Sequence, residues 1–328
     1  MTVKKEIRII GAGPAGLVAA INLKREGYDP IVQEKQAEVG GEPGWHPSVH
    51  TTPVAPAGLW KYIGIDLTEA FEDTTERVRL SLGGQDMGNV DNKNLGYRVY
   101  NVERGRRPSS LDSILYRIAL QEGVRFEFGK VFRQEDLAGT PSNTIIATGL
   151  TPGLYEGMGM AHSIFAGYWA SAEIERLPAY SAIYYGAFSN EYGYTAAMNG
   201  IWYVLLFARR EVPRENLDAF RQILQQAEGR TFESWRSFLG QAPKEAGLFH
   251  KDLIRTGTFA GFMEPALGFG ITGALVSGKI AALAVTDRAR AEEEFRRFTA
   301  GIPGHIARKR QPGYAPFVRM GDVWFEIE

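Results

Sequence analysis

The side chains in this chain best suited to moving a proton sit in two glycine- and proline-marked stretches. His46 and His50 lie in Trp45-His46-Pro47-Ser48-Val49-His50, and Glu264 stands immediately before Pro265. Histidine titrates near neutral pH, so either ring could protonate a substrate carbon or steady an anion, with an exposed or structural histidine as the plainer alternative. We take His46 as the expected acid. Glu264 would join it if burial raised its pKa; a capping role is the alternative. Other chemistries are excluded. The chain has no cysteine, so a disulfide framework, a CxxC redox pair and a thiolate-held iron–sulfur cluster are ruled out. Neither metal-ligand spacing nor a Gly-x-Ser-x-Gly elbow occurs, and no metal is expected. Any redox chemistry must therefore use a bound cofactor.

Three separated stretches carry the pattern for one. In Ile7 to Gly16, IRIIGAGPAG, a buried strand runs into Gly11-Ala12-Gly13-Pro14-Ala15-Gly16 and then into a helix. Gly11 permits the tight turn, Gly13 lets the backbone approach a pyrophosphate, and Gly16 lets helix and strand pack closely. The helix N-terminus offers free N–H groups to phosphates. Glu34 ends the next apolar run and suits two ribose hydroxyls; Lys35 and the Gly40-Gly41 turn follow it. The second stretch is Ile145-Ile146-Ala147-Thr148-Gly149. The third runs from Gly257-Thr258 through Pro265-Ala266-Leu267-Gly268-Phe269-Gly270-Ile271 into a long helix. A nicotinamide dehydrogenase does not need the second and third, whereas an extended FAD does. Amides at Gly268, Phe269, Gly270 and Ile271 would stabilise negative charge on a reduced flavin. FAD is thus the expected cofactor. With one fingerprint only, NAD(P)H would be a transient electron donor, and an electron-donor protein is the alternative.

On these residues the chain resembles the FAD-dependent oxidoreductases of the geranylgeranyl reductase and para-hydroxybenzoate hydroxylase superfamily. The resemblance is specific in the three stretches and weak between residues 166 and 249. It implies an α/β fold: a Rossmann-type, GR2-like FAD-binding domain with an inserted antiparallel β-sheet for substrate. It also implies an arginine beside the cofactor, for which Arg104 and Arg107 both qualify, and backbone contact with adenine at Val131. One position departs from the family pattern. Thr258 stands where relatives carry an aspartate, so the charge-assisted bond to the ribityl chain is lost, which would weaken flavin binding by about 1–2 kcal/mol.

The elements that must position these residues follow from periodicity. Residues 110–122 read as an amphipathic helix, with Leu111, Ile114, Leu115, Ile118 and Ala119 on one face. Residues 45–62 look irregular, and 215–229 and 231–240 look like polar helices. Residues 180–210 read as aromatic strands hinged at Asn199-Gly200. Tyr184, Tyr194 and Trp202 from those strands are expected to wall a pocket for an apolar or aromatic substrate. The expected division is a discontinuous FAD-binding domain (1–62, 100–165 and 250–290), a substrate sheet with helices (63–99 and 166–249), and a C-terminal helix and tail (291–328).

The expected activity is reduction or dehydrogenation of carbon–carbon bonds in an isoprenoid-like substrate. The alternatives are flavin-dependent hydroxylation of an aromatic compound and a flavin-binding protein without turnover. A net charge of −1 over 328 residues argues against a polyanionic partner such as nucleic acid. The apolar run 259–286 contains Glu264, Pro265 and Lys279, so a buried helix is expected rather than a membrane span. A cytoplasmic protein with at most peripheral membrane contact is the expectation, the first strand starting too near Met1 for a leader peptide.

Overall fold

A computed structural model describes residues 5–41, 47–90, 98–264 and 267–303. The first element, β1 (Glu6–Ile10), pairs in parallel with β2 (Asp29–Gln33) and β9 (Ile145–Ile146). With β8 (Arg125–Glu127), β15 (Phe249–His250) and β16 (Leu253–Arg255) these make a six-stranded sheet, ordered β15-β16-β9-β1-β2-β8. Its strands come from all three glycine-bearing stretches, which is how distant parts of the chain reach one site.

One face of this sheet packs on helices. Ile7, Ile9, Val32, Ile145 and Ile254 meet α1 (Pro14–Arg25), α3 (Leu111–Gln121) and α6 (Ile271–Thr286). Pro14 opens α1, where a fixed φ and a missing N–H suit the first turn. Ser110 caps α3 by accepting the Ser113 N–H at 3.2 Å. Helices α1 and α6 touch along small residues: a Cβ on Gly278 would stand 2.5 Å from the Ala15 carbonyl oxygen. The last described helix, α7 (Arg288–Thr299), is separated from α6 by a cap, Asp287 accepting from the Arg290 N–H at 3.1 Å. On the opposite face Ile10, Ile146 and Leu253 meet Tyr155 and Met158 from the turn around α4 (Leu154–Gly157).

The inserted sheet has seven strands, ordered β14-β10-β13-β12-β11-β5-β6. They are β5 (Val78–Leu82), β6 (Gln85–Asn89), β10 (His162–Glu173), β11 (Tyr180–Tyr185), β12 (Tyr192–Met198), β13 (Ile201–Ala208) and β14 (Arg236–Pro243). All its pairings are antiparallel except that of β5 with β11. The β12–β13 hairpin turns at Asn199 and Gly200, both with positive φ (53° and 75°), as the dipeptide predicts. Helix α5 (Arg214–Glu228) covers one face through Leu217, Phe220 and Leu224.

Two expectations change. Residues 236–243 form strand β14 rather than a helix, because eight of them pair with β10 and that ladder overrides local helix propensity. The stretch after 47 is regular: β3 (Ser48–Val54) pairs with β7 (Arg98–Arg104), which also takes β4 (Phe71–Asp73), and α2 (Pro56–Ile63) follows β3. Among the described residues no helix is long and apolar enough to cross a membrane.

Candidate functional site

Around the first glycine turn, what each glycine touches distinguishes its role. A Cβ on Gly11 (φ +105°) would stand 2.5 Å from the Ala147 carbonyl oxygen, and one on Gly16 would stand 2.1 Å from that of Gly11. Both are needed for close packing. Gly13 differs: among the described residues, its chain neighbours aside, no heavy atom lies within 4 Å of where its Cβ would be. The backbone is therefore open at the N-terminus of α1, where orphan N–H groups and the helix dipole favour an anion. Glu34 is 8% exposed and tied to this turn, its Oε2 accepting the Ala12 N–H at 2.9 Å and its Oε1 the Gln36 N–H at 3.0 Å. Lys35 beside it is exposed.

Ala147-Thr148-Gly149 leaves the sheet next to this turn. Among the described residues the buried Thr148 hydroxyl has no partner, and the Cβ direction of Gly149 is also open. The 129–133 segment passes Glu34, with the Lys130 N–H donating to the Glu34 carbonyl at 2.9 Å. Val131 lies there, half-exposed, on the wall of a cavity of about 600 Å³ shared with Arg8, Gln33 and Arg133. Gly40 and Gly41 both have positive φ; a Cβ on Gly40 would collide with Gly105 at 2.7 Å, which brings this turn against the β7–α3 connection.

The two candidate arginines are both held by the protein. Arg104 makes a two-pronged ion pair with buried Asp112, Nε at 2.6 Å and Nη2 at 2.8 Å. Arg107 donates to the Asn199 carbonyl at 2.9 Å and lies 3.3 Å from Glu103. Arg106, which the sequence reading passed over, packs its stem against Gly40 and pairs with Glu38 at 2.5 Å.

The third stretch faces the inserted sheet. The Gly257 N–H donates to Ser277 Oγ at 2.8 Å, fixing the turn before α6. Thr258 is half-buried, and a Cβ on Gly270 would lie 3.6 Å from its hydroxyl. Glu264 is buried and shapes the loop that follows: its Oε2 accepts the Leu267 N–H at 2.5 Å, while its backbone bonds Gly268 and Phe269. The carboxylate therefore closes the loop on itself and does not cap α6, whose N-cap is Gly270 with no side-chain cap. Gly268 has φ +76°, and a Cβ there would reach Phe207 and Tyr192 at 3.8–4.0 Å. The Tyr192 hydroxyl donates to the Leu267 carbonyl, and Ile271 opens α6. Pro265 and His46 lie outside the described residues.

Opposite this loop stand Phe165, Trp169, Tyr192, Tyr194, Tyr203 and Phe207. Tyr194 OH lies 2.6 Å from Thr51 Oγ1 and donates to the Val49 carbonyl at 3.2 Å, which fastens the sheet to β3. Burial pushes the hydroxyls of Tyr194 and Tyr203 well above the ordinary tyrosine pKa. His50 stands over this wall, 5.8 Å between ring centroids from Tyr203, with Nε2 3.0 Å from Ser48 Oγ. Tyr184 and Trp202 do not join Tyr194. They belong to the other face, under α5, where Trp202 stacks on Phe232 at 4.1 Å and the Tyr184 hydroxyl donates to Glu228. Strand alternation separates them from Tyr194, since neighbouring positions point to opposite sides.

Residues 9–43 match the model of the NAD(P)-binding Rossmann-like domain. A flavin-containing monooxygenase of Arabidopsis thaliana (FMO GS-OX-like 5) is 32% identical over 135 residues, 37% of this chain and 27% of that protein. The putative FMO GS-OX-like 11 of the same plant is 29% identical over 137 residues, 37% of this chain and 73% of that protein. The match thus spans about a quarter of the length of the first of these relatives. Among solved structures, a geranylgeranyl bacteriochlorophyll reductase-like protein from Thermoplasma acidophilum superposes with a TM-score of 0.62 at 16% identity, covering 93% of this chain and 85% of that one. A 2-methyl-3-hydroxypyridine-5-carboxylic acid oxygenase superposes with a TM-score of 0.64 at 13% identity, covering 97% and 96%. The chain has the fold shared by these proteins, a Rossmann-like α/β domain carrying additional antiparallel sheets.

Proposed function

We propose that this chain is an FAD-dependent oxidoreductase acting on a small aromatic or apolar substrate held between the 267–271 loop and the tyrosine-lined face of the inserted sheet. The open backbone at Gly13 carries the reading. It lies at a helix N-terminus, beside an acid anchored for a ribose and a buried Thr148 hydroxyl that makes no bond among the described residues. A dinucleotide fits this cradle: Gly13 to Gly16 would take the pyrophosphate, Glu34 the ribose, the 129–131 backbone the adenine, and Thr258 and Gly268 to Ile271 the flavin end. Bound there, FAD would supply the electron transfer. The protein's own contribution is to orient substrate against the aromatic wall, exclude water, keep the Tyr203 hydroxyl protonated through burial and present the His50 ring beside it. The discontinuous division into cofactor and substrate domains belongs to the same proposal, with NAD(P)H as a visiting reductant.

Of the two reactions, oxygen-dependent attack on an aromatic ring is the better supported. The wall has hydroxyl-tipped aromatics where a long isoprenoid chain would ask for aliphatic residues. Several relatives are named as monooxygenases, and a fold neighbour is an oxygenase. Carbon–carbon bond reduction is the second reading, supported by the reductase-like neighbour. Titration of the purified protein with FAD should produce a bound flavin spectrum near roughly 450 nm. With NADH or NADPH and aromatic candidates, oxygen uptake should then match product formed. Substrate turnover that proceeds equally well without oxygen would reject the first reaction; a protein that never binds FAD would reject both.

A further inference from the structure

Strand β16 presents Leu253, Ile254 and Arg255, all buried. Ile254 faces the helices, and alternation sends Leu253 and Arg255 to the opposite layer, among Ile10, Ile146, Tyr155 and Phe259. An arginine therefore occupies a position where the pattern of the sheet asks for an aliphatic residue. It is 6% exposed, and among the described residues its guanidinium makes a single hydrogen bond, a weak one from Nη1 to Met160 Sδ at 3.4 Å. Its Nε is sealed from solvent without an acceptor. Among the described residues no carboxylate pairs with it. Glu156, the acid on the same short helix as Tyr155, is held by Gln241 at 2.8 Å and lies 3.3 Å from His162.

The surroundings are arranged for this side chain. A Cβ on Gly247 would stand 1.8 Å from Nη2, so in this conformation the guanidinium fills the space beside that glycine. The Tyr155 hydroxyl, fully buried, also has no partner among the described residues, and the positive charge of Arg255 reaches it. An isolated cation in an apolar layer is strongly unfavourable unless an anion accompanies it. The planar fork of a guanidinium matches a carboxylate or phosphate better than any other group.

We infer that Arg255 anchors an oxyanion site, on the face of the six-stranded sheet away from the helices, that takes the carboxylate or phosphate group of a small molecule. Nη2 is the contact, being the guanidinium nitrogen that is neither bonded nor sealed, and Tyr155 is the neighbouring donor. The site is distinct from the glycine cradle. It lies across the sheet from α1, although Gly257, which closes on Ser277, is two residues further along the chain.

The test is thermal melting with FAD present, so that the glycine cradle is filled, in phosphate, acetate or chloride at one ionic strength. Phosphate or acetate should raise the melting temperature of the unmodified protein above its value in chloride by about 3 °C at roughly tenfold excess over Kd. A response to phosphate alone identifies a phosphate ligand; a response to acetate alone identifies a carboxylate. Arg255→Met should lose the anion-specific rise and melt in chloride no lower than the unmodified protein. Arg255→Lys, which keeps the charge without the fork, should show at most half the rise, and it decides the matter if Arg255→Met does not fold. The inference is overturned if neither anion outperforms chloride, or if the rise persists undiminished in the variants. Flavin binding is read separately from the visible spectrum, so failure here leaves the cofactor reading intact.

Discussion

Trp202 and Tyr203 are neighbours on β13 and belong to different worlds. Trp202 lies beneath α5, stacked on Phe232 with 21° between the ring planes, in a layer with Val204, Leu206, Phe220 and Leu224. On that side Tyr180 donates to Glu228 at 3.1 Å and Tyr184 to the same carboxylate, while the Trp202 indole N–H and the Thr195 hydroxyl are buried without a partner among the described residues. Tyr203 points the other way, to Trp169 and His50, and burial alone governs its hydroxyl, which makes no hydrogen bond among the described residues. Tyr192 and Tyr194 on this side fasten the sheet to the 267 loop and to β3. One sheet thus has a face closed by α5 and a face turned to β3 and the 267 loop, where the Tyr203 hydroxyl makes no hydrogen bond among the described residues. Aromatic content does not separate them; what packs on each does, α5 on one side and the 267 loop with β3 on the other.

The sharpest way to break this distinction is Trp202→Ala. Removing a fully packed ring from the α5 side should lower stability by about 3–5 kcal/mol while turnover per folded molecule stays level. Denaturant unfolding and active-site titration measure the two separately; an altered KM with unchanged stability would mean the closed face touches substrate. Next in size is Thr258→Asp at the rim of the open face. An added carboxylate next to Gly270 should tighten FAD by about 1–2 kcal/mol, or roughly tenfold, through a charge-assisted bond. Equal FAD affinities in the two proteins would show that this side chain does not meet the cofactor. Glu264→Gln should then cost about 1 kcal/mol, because an amide oxygen can still accept from Leu267 but without its charge. Its turnover should keep the parent pH profile; loss of a limb of that profile would restore Glu264 as an acid.

Local features were legible in the sequence where local geometry decides them. The first glycine turn reads correctly because Gly11 and Gly16 are demanded by contacts within a few residues or with a predictable neighbouring strand. The strand character of residues 201–208 was equally plain, although Trp202 was expected on one wall with Tyr194. Which side would be closed was not, because that depends on α5, a helix that begins after the strand has ended and folds back on it. The same remoteness explains β14: its polar residues read as helical until β10 supplies eight partners. Glu264 next to a proline looked like a placed acid, and only the 2.5 Å bond from Leu267 reveals it as the clasp of its own loop. Arg255 left a signal that could have been used, a lone arginine alternating with Leu253 in a buried strand.

The finest test concerns the hydroxyl of Tyr203. Phenylalanine keeps the ring, its stacking on Trp169 and its contact with His50, and no hydrogen bond of the protein is lost. Stability should therefore move by no more than about 0.5 kcal/mol, in either direction. If the open face reads a polar group on the substrate, the same change removes a bond worth about 0.5–1.5 kcal/mol, so KM should rise by roughly two- to tenfold with flavin reduction unaffected. A substrate analogue lacking that polar group should show no such difference between the two proteins. The pairing of variant and analogue separates recognition from packing, because a packing defect would raise KM for both compounds alike. Equal KM values for the full substrate would reduce Tyr203 to part of the wall, and the open face would then differ from the closed one only in which loop it meets.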